Sequence, residues 1–254
     1  MNLIILGAGT SIPLNYMASP SLALIMNDRC ALLDIGPGTL RQLTRIGICH
    51  ERIDQIFLSH FHPDHTADLI HFLFVTRYSS NIHRREPFRI IGPRGLKNFL
   101  KRLKSGYGKW LDVSPEIMSI EELDIERPDN IGCKGFSVIS QPVEHTPHSL
   151  AFRIKSIDGG SFVYSGDTAF CNEIIELAKG CNLLILECSH PEVDAREGHL
   201  TPSQAGRVAT LAGVKKLLLV HFYPEALASD IAEDCRSTYD GELILGRDLL
   251  ELSI

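Results

Sequence analysis

The sequence has no excess of positive charge: 25 Lys and Arg stand against 31 Asp and Glu, a formal net charge of −6 over 254 residues. No general basic field therefore draws nucleic acid toward it, and an RNA or DNA partner would need a local patch. Long apolar runs are also missing. The longest, at 183–186 and 217–220, have strand length, far short of the ~20 residues that cross a bilayer, so no membrane partner is expected. The opening Met1-Asn2-Leu3-Ile4-Ile5-Leu6-Gly7 lacks the basic start of a secretory leader, which points to a cytoplasmic protein. There is no C-x-x-C pair. Seven cysteines at 30, 49, 133, 171, 181, 188 and 235 form an odd set, an argument against a disulfide framework and for reduced, buried thiols. No repeat, low-complexity tract or Ser/Gly linker marks a boundary, so one domain spanning 1–254 is expected.

What the chain does have is 44% hydrophobic residues, enough to bury a full core. Apolar runs of strand length recur at 3–6, 22–26, 31–34, 56–58 and 88–91, and again at 136–139, 150–154, 162–164, 183–186, 216–220 and 242–245. Helical periodicity lies between them: after His65 through Leu69, Phe72, Leu73 and Val75, then at 95–103, 171–178, 202–211 and 225–235. Thr201 before Pro202 has the form of an N-cap followed by Pro at the first helical position. This alternation predicts an α/β protein whose sheets are covered by helices. Residues 76–86 and 105–132 read as loops.

Four potential metal ligands fall within six positions in Ser59-His60-Phe61-His62-Pro63-Asp64-His65, at the end of the run Ile56-Phe57-Leu58. His60 and His62, two apart in extended chain, project to one side, while Asp64 and His65 follow as the chain turns into a helix. Imidazole and carboxylate ligands suit zinc first and, less selectively, manganese or iron. Gly7-Ala8-Gly9 is followed by Thr-Ser-Ile-Pro, and Pro13 would interrupt the helix that a dinucleotide fingerprint requires.

On this motif the sequence resembles the metallo-β-lactamase superfamily, and the resemblance runs from Gly7-Ala8-Gly9-Thr10-Ser11 through Leu33-Asp34-Ile35-Gly36 to Gly241-Glu242-Leu243-Ile244-Leu245. It implies an αββα four-layer sandwich with two divalent ions at one edge. It also implies three later ligands, which fall on His145, Asp167 and His221, each after an apolar strand. One ion would take His60, His62 and His145, the other Asp64, His65 and His221, with Asp167 between them and Asp64 doubling as a catalytic residue. Asp34 matches an Asp that supports the histidines by hydrogen bonding.

The segment Gly198-His199-Leu200-Thr201-Pro202 resembles the His-x-Thr element of ribonuclease Z and its small cyclic-phosphodiesterase relatives. There the His is not a ligand but aids the leaving oxygen or the charged phosphate, work that suits a side chain titrating near neutrality. His199 is the candidate for that role, with Thr201, Arg84 and Arg85 as candidate substrate contacts, since Arg offers paired donors to phosphate oxygens. Only 21 residues separate His145 from Asp167, too few for the long transfer-RNA arm that ribonuclease Z carries there. The expected function is therefore hydrolysis of a small-molecule phosphodiester such as a cyclic phosphate or cyclic nucleotide. A lactone, ester or thioester hydrolase on the same ligands is the alternative, and it has no need of His199 because metals alone can polarise a carbonyl. Strong nucleic-acid binding is not expected, and homodimer formation is left open.

Overall fold

In the first strand Leu3 and Ile5 belong to one buried cluster and Ile4 and Leu6 to another. A strand with both faces apolar needs cover on both sides, and the computed structural model, which describes residues 1–26, 29–78 and 86–254, supplies it. The first half of the chain forms β1 (Asn2–Gly7), β2 (Ser21–Met26), β3 (Arg29–Leu33), α1 (Thr39–Arg45), β4 (Ile53–Phe57), α2 (Pro63–Thr66), α3 (Asp68–Tyr78), β5 (Phe88–Pro93), α4 (Leu96–Tyr107) and β6 (Met118–Leu123). The second half forms β7 (Asp129–Cys133), β8 (Phe136–Pro142), β9 (Leu150–Ser156), β10 (Ser161–Tyr164), α5 (Asn172–Ala178), β11 (Leu183–Glu187), α6 (Pro202–Leu211), β12 (Lys216–Val220), α7 (Pro224–Leu227), α8 (Ile231–Arg236), β13 (Glu242–Leu245) and β14 (Leu250–Ser253).

Two seven-stranded sheets result, ordered β14-β1-β2-β3-β4-β5-β6 and β13-β12-β11-β10-β9-β8-β7. Each is antiparallel at one end and parallel at the other: β3 to β6 run parallel, as do β10 to β13. Their inner faces meet through Leu3, Ile5 and Phe57 on one side and Phe136, Phe152 and Ile185 on the other. Phe57 touches Phe152 edge-on at 5.8 Å between ring centres, and truncating such a ring to Ala costs about 3–5 kcal/mol. Residues of α1, α3 and α4 cover the outer face of the first sheet, and residues of α5, α6 and α8 cover the outer face of the second. The architecture is the αββα sandwich expected.

Three expectations need correction. Residues 105–132 are not one loop: they complete α4, make a 3-10 turn at Gly108–Leu111, and contribute β6 and β7. β6 reads polar, as Met-Ser-Ile-Glu-Glu-Leu, because it closes the edge of its sheet. The helix expected over 225–235 is broken into α7 and α8, since Asp230 accepts a hydrogen bond from the Glu233 backbone and starts a new helix. β14 was not anticipated: its Leu250 and Leu252 alternate with Glu251 and Ser253, a pattern too short to stand out. Cys49 is exposed and Cys133 half-buried; the other five cysteines are buried. His83, Arg84 and Arg85 lie outside the described residues.

Candidate metal centre

Parallel strands bring their carboxyl ends to the same edge of a sheet, and the candidate residues follow those ends. Asp34 leaves β3, Ser59 and His60 leave β4, Asp167 leaves β10, Glu187 ends β11 and His221 leaves β12. Register fixes the pairing: Leu33 lies beside Phe57, and Glu187 beside Val220. His145 arrives from β8, antiparallel to β9, which runs antiparallel to β10. Two of these positions are strained: Asp34 and His221 have φ of 59° and 64°, a left-handed conformation that costs a non-glycine residue of order 1–3 kcal/mol and collects at functional sites. Gly166 has φ 57°, and a Cβ there would meet the Ser59 Cβ at 2.6 Å, so only glycine lets the Asp167 turn press against the histidine motif.

All seven residues named from sequence come together. The ligand-type atoms of His60, His62, His145 and Asp167 lie within 4.8 Å of one another, and so do those of Asp64, His65 and His221. Asp167 stands between the sets with one oxygen toward each. Its Oδ2 is 3.7 Å from His60 Nε2 and 3.6 Å from His145 Nε2, while its Oδ1 is 3.1 Å from His65 Nε2 and 3.3 Å from His221 Nε2. The imidazoles are fixed from behind, as metal-binding histidines usually are. His60 Nδ1 meets Ser59 Oγ at 2.9 Å, His65 Nδ1 meets Asp34 Oδ2 at 2.7 Å, His145 Nδ1 meets the Gly198 carbonyl at 2.8 Å, and His221 Nδ1 meets Ser189 Oγ at 2.8 Å. Each of these four rings therefore has its Nε2 left for the centre. His62 is exposed, and its Nδ1 approaches His145 Nε2 at 3.1 Å.

These residues fit divalent cations. His60 Nε2 and Asp167 Oδ1 are buried without a hydrogen-bond partner, an arrangement that is costly unless something else satisfies them. Burial, followed by the neighbouring His65, pulls the His60 imidazole well below its usual pKa, which leaves it neutral and able to ligate. Burial works against ionisation of Asp167, yet His221 and His65 outweigh it and hold the carboxyl well below its ordinary range. Asp64 behaves likewise: burial raises it, but the hydrogen bond from His221 and the charges of His65 and His221 together outweigh burial and lower it. Asp34 is fully buried and accepts from the Ser59 backbone, Ser59 Oγ, His65 Nδ1 and the Tyr164 hydroxyl at 2.7–2.8 Å.

His199 sits at the rim, with ring centroids 4.7 Å from His145 and 5.9 Å from His221. Its ligand-type atom is also within reach of Asp167 and His221. Sequence reasoning missed its partner. Glu187, buried and ending β11, places Oε1 2.8 Å from His199 Nδ1. The carboxylate is itself held by the backbone of Thr168, Ser189 and Leu200 and by Ser189 Oγ. Burial lowers the His199 pKa, but the Glu187 hydrogen bond and charge overcome it and raise the imidazole above its ordinary value. The available signal was one acid closing the apolar run Leu183-Leu184-Ile185-Leu186. Ser59, Tyr164 and Ser189 gave none, since their role depends on which strands are neighbours. Thr201 is not aimed at a substrate: it is buried, its hydroxyl bonds Glu192 at 2.9 Å, and it forms a capping box with Gln204 at the start of α6.

The family description "Beta-lactamase superfamily domain" matches residues 29–222, which hold the whole set of seven. The chain belongs to the beta-lactamase superfamily. Among its superfamily relatives, an uncharacterised protein of Mycobacterium tuberculosis, Rv1339, is 31% identical over 212 residues, covering 83% of this chain and 76% of the relative. A ribonuclease Z of Mycolicibacterium gilvum is 29% identical over 274 residues, covering 98% and 95%. Among solved structures, the metallo-beta-lactamase fold protein YhfI from Bacillus subtilis superposes with a TM-score of 0.84 at 21% identity, covering 99% of this chain and 98% of that one. The chain is thus a hydrolase of the metallo-β-lactamase fold whose His and Asp cluster is suited to divalent metal. No helix among the described residues is long and apolar enough to cross a membrane.

Proposed function

We propose that this hydrolase cleaves a phosphodiester in a cyclic phosphate, a cyclic nucleotide or another small phosphodiester. The observation that carries the reading is the Glu187–His199 pair at 2.8 Å. A carboxylate on Nδ1 keeps a proton there and favours a second on Nε2, the ring nitrogen left to face a substrate. An alkoxide leaving a phosphodiester needs that second proton, whereas hydrolysis of a lactone or thioester can proceed without an acid so placed. The ribonuclease Z relative, a phosphodiester-cleaving enzyme by name, supports the same bond type.

In this reading His60, His62 and His145 would hold one divalent ion and Asp64, His65 and His221 a second, with Asp167 offering one carboxylate oxygen toward each set. Zinc is the first candidate, with manganese or iron behind it. Such a pair would supply a hydrolytic nucleophile at neutral pH and positive charge against the negative charge of the phosphate. Asp64, held ionised, also accepts a hydrogen bond from the attacking water. His199 gives its Nε2 proton to the leaving oxygen, and Glu187 stabilises the charged imidazole until the proton is given up. Between His145 and Asp167 the chain forms only the β9–β10 hairpin, which fits a small substrate better than a folded RNA.

The test is a panel of alkyl and aryl phosphodiesters, cyclic nucleotides, lactones and thioesters with zinc- and manganese-loaded enzyme. Turnover confined to the phosphodiesters is the expected result. Turnover confined to lactones or thioesters would overturn the reading.

A further inference from the structure

The loop between β1 and β2 walls a cavity of about 360 Å³ against α1. Pro13, Leu14 and Tyr16 of the loop line it, and so do Arg41 and Arg45, about one helical turn apart on α1. Ser11 lines it too, and its Oγ is 3.1 Å from the Tyr223 hydroxyl. The Tyr223 ring stands steeply to those of His221 and His199, with centroids 5.9 and 6.5 Å away. The His221 and Phe222 backbone amides both donate to the Ala8 carbonyl at the root of this loop. The loop that walls the cavity is therefore tied, through Tyr223 and Ala8, to the strand end that carries His221.

The cavity is built, not incidental. Asp248 accepts from the Ala8 amide at 3.1 Å, from the Ala18 amide at 2.8 Å and from the Gln42 side chain, so both ends of the loop are tied to one carboxylate and to α1. Those three donors also occupy the one acidic group lining the cavity among the described residues. Arg45 donates to Gln42 Oε1 at 2.8 Å, which leaves further guanidinium donors on both arginines. Two like charges at this spacing repel each other unless an anion lies between them, and arginine presents paired donors that match a phosphate.

Resting on the phosphodiesterase reading above, we propose that this cavity binds a second phosphate group of the substrate, with a ring of the same molecule packed on Tyr16. The substrate class is then a phosphorylated phosphodiester such as a linear dinucleotide with a terminal phosphate. A cyclic mononucleotide has one phosphate, which the metal ligands would take, and it would leave the arginines unanswered.

The experiment compares wild type with the double variant Arg41→Gln, Arg45→Gln, using diadenylate with and without a 5′-phosphate, and it measures binding of adenosine 3′,5′-bisphosphate, which offers one phosphate to the centre and one to the cavity, to the metal-loaded proteins by calorimetry. Wild type should show a KM at least tenfold lower for the phosphorylated dinucleotide. The variant should lose that advantage with kcat changed less than threefold, and its affinity for the bisphosphate should fall at least tenfold. Arg41→Lys, Arg45→Lys should restore part of both. Bis(p-nitrophenyl) phosphate, which has no second phosphate, should be turned over alike by all three proteins. Equal KM for the two dinucleotides in wild type, or bisphosphate affinity that is absent or unchanged by the variant, overturns the proposal. Failure to cleave any phosphodiester would count against the proposed function instead, and the variant's loss of bisphosphate affinity would still identify the cavity as a phosphate site.

Discussion

Glu187 reaches His199 from the strand next to the one that delivers His221, and its Oε1 stands 2.8 Å from His199 Nδ1 with the carboxylate shut away from solvent. If this pair acts as the acid, His199→Ala should lower kcat on an alkyl phosphodiester by ~10²- to 10⁴-fold, and much less on a nitrophenyl ester, whose leaving group needs little protonation. Both metals should remain bound, as metal analysis of the purified variant would show. Glu187→Gln should fall between the two, because an amide oxygen still orients the ring but brings no charge. An unchanged kcat for His199→Ala on the alkyl substrate, or loss of a metal, would remove His199 from the acid role.

Metal stoichiometry follows from the two faces of Asp167. We expect close to two ions per chain from elemental analysis of saturated protein. His221→Ala should retain about one, and Asp167→Ala should weaken both sites. Asp34→Ala, which touches no ion but releases His65, Ser59 and Tyr164, should cost about 10- to 100-fold in metal affinity. A firm value of one ion in saturated wild type would contradict the shared-carboxylate arrangement.

Precursor transfer RNA should be a poor substrate. Between His145 and Asp167 the chain forms only the β9–β10 hairpin, and its charge of −6 leaves few groups to neutralise RNA phosphates, which is the main source of non-specific affinity. Efficient cleavage at a precursor 3′ end in physiological salt would show this to be wrong.

Thiol reactivity should be confined to Cys49, the exposed cysteine. Burial pushes the Cys30 thiol up to about 12 and those of Cys133, Cys181 and Cys235 to about 11, and the thiol form is a poor nucleophile. A chromogenic disulfide reagent at pH 8 should titrate one fast group in the native protein and seven after denaturation. Rapid labelling of a second cysteine in the folded state would count against it.

Asp248 offers a stability test. Asp248→Ala leaves the Ala8 and Ala18 amides without their acceptor, a loss on the order of 2 kcal/mol, or a Tm drop of about 4–8 °C for a chain of this size. Calorimetric melting of the metal-loaded variant would measure it, and an unchanged Tm would mean that water replaces the carboxylate at no cost.

Much of this protein was legible in one dimension. The run from His60 to His65 reveals itself because four ligating side chains in six positions have no packing explanation. His145, Asp167 and His221 could be placed on the resemblance because each follows an apolar strand, and strand ends are where a sheet scaffold collects its loops. The two-faced burial of Leu3 to Leu6 was readable for the same reason: a strand covered on both sides has no polar alternation to hide it. Sequence could not say which strands are neighbours. Glu187 supports His199, Ser189 supports His221, Tyr164 reaches Asp34, and Asp248 ties Ala8 to Ala18, all through contacts between residues distant in the chain or set beside each other by sheet register. A carboxylate or hydroxyl has no local pattern that names its partner, because hydrogen bonds are made at 3 Å in space and not at any fixed spacing in sequence. Tertiary structure alone decided those pairings, and with them the direction in which each ring nitrogen points.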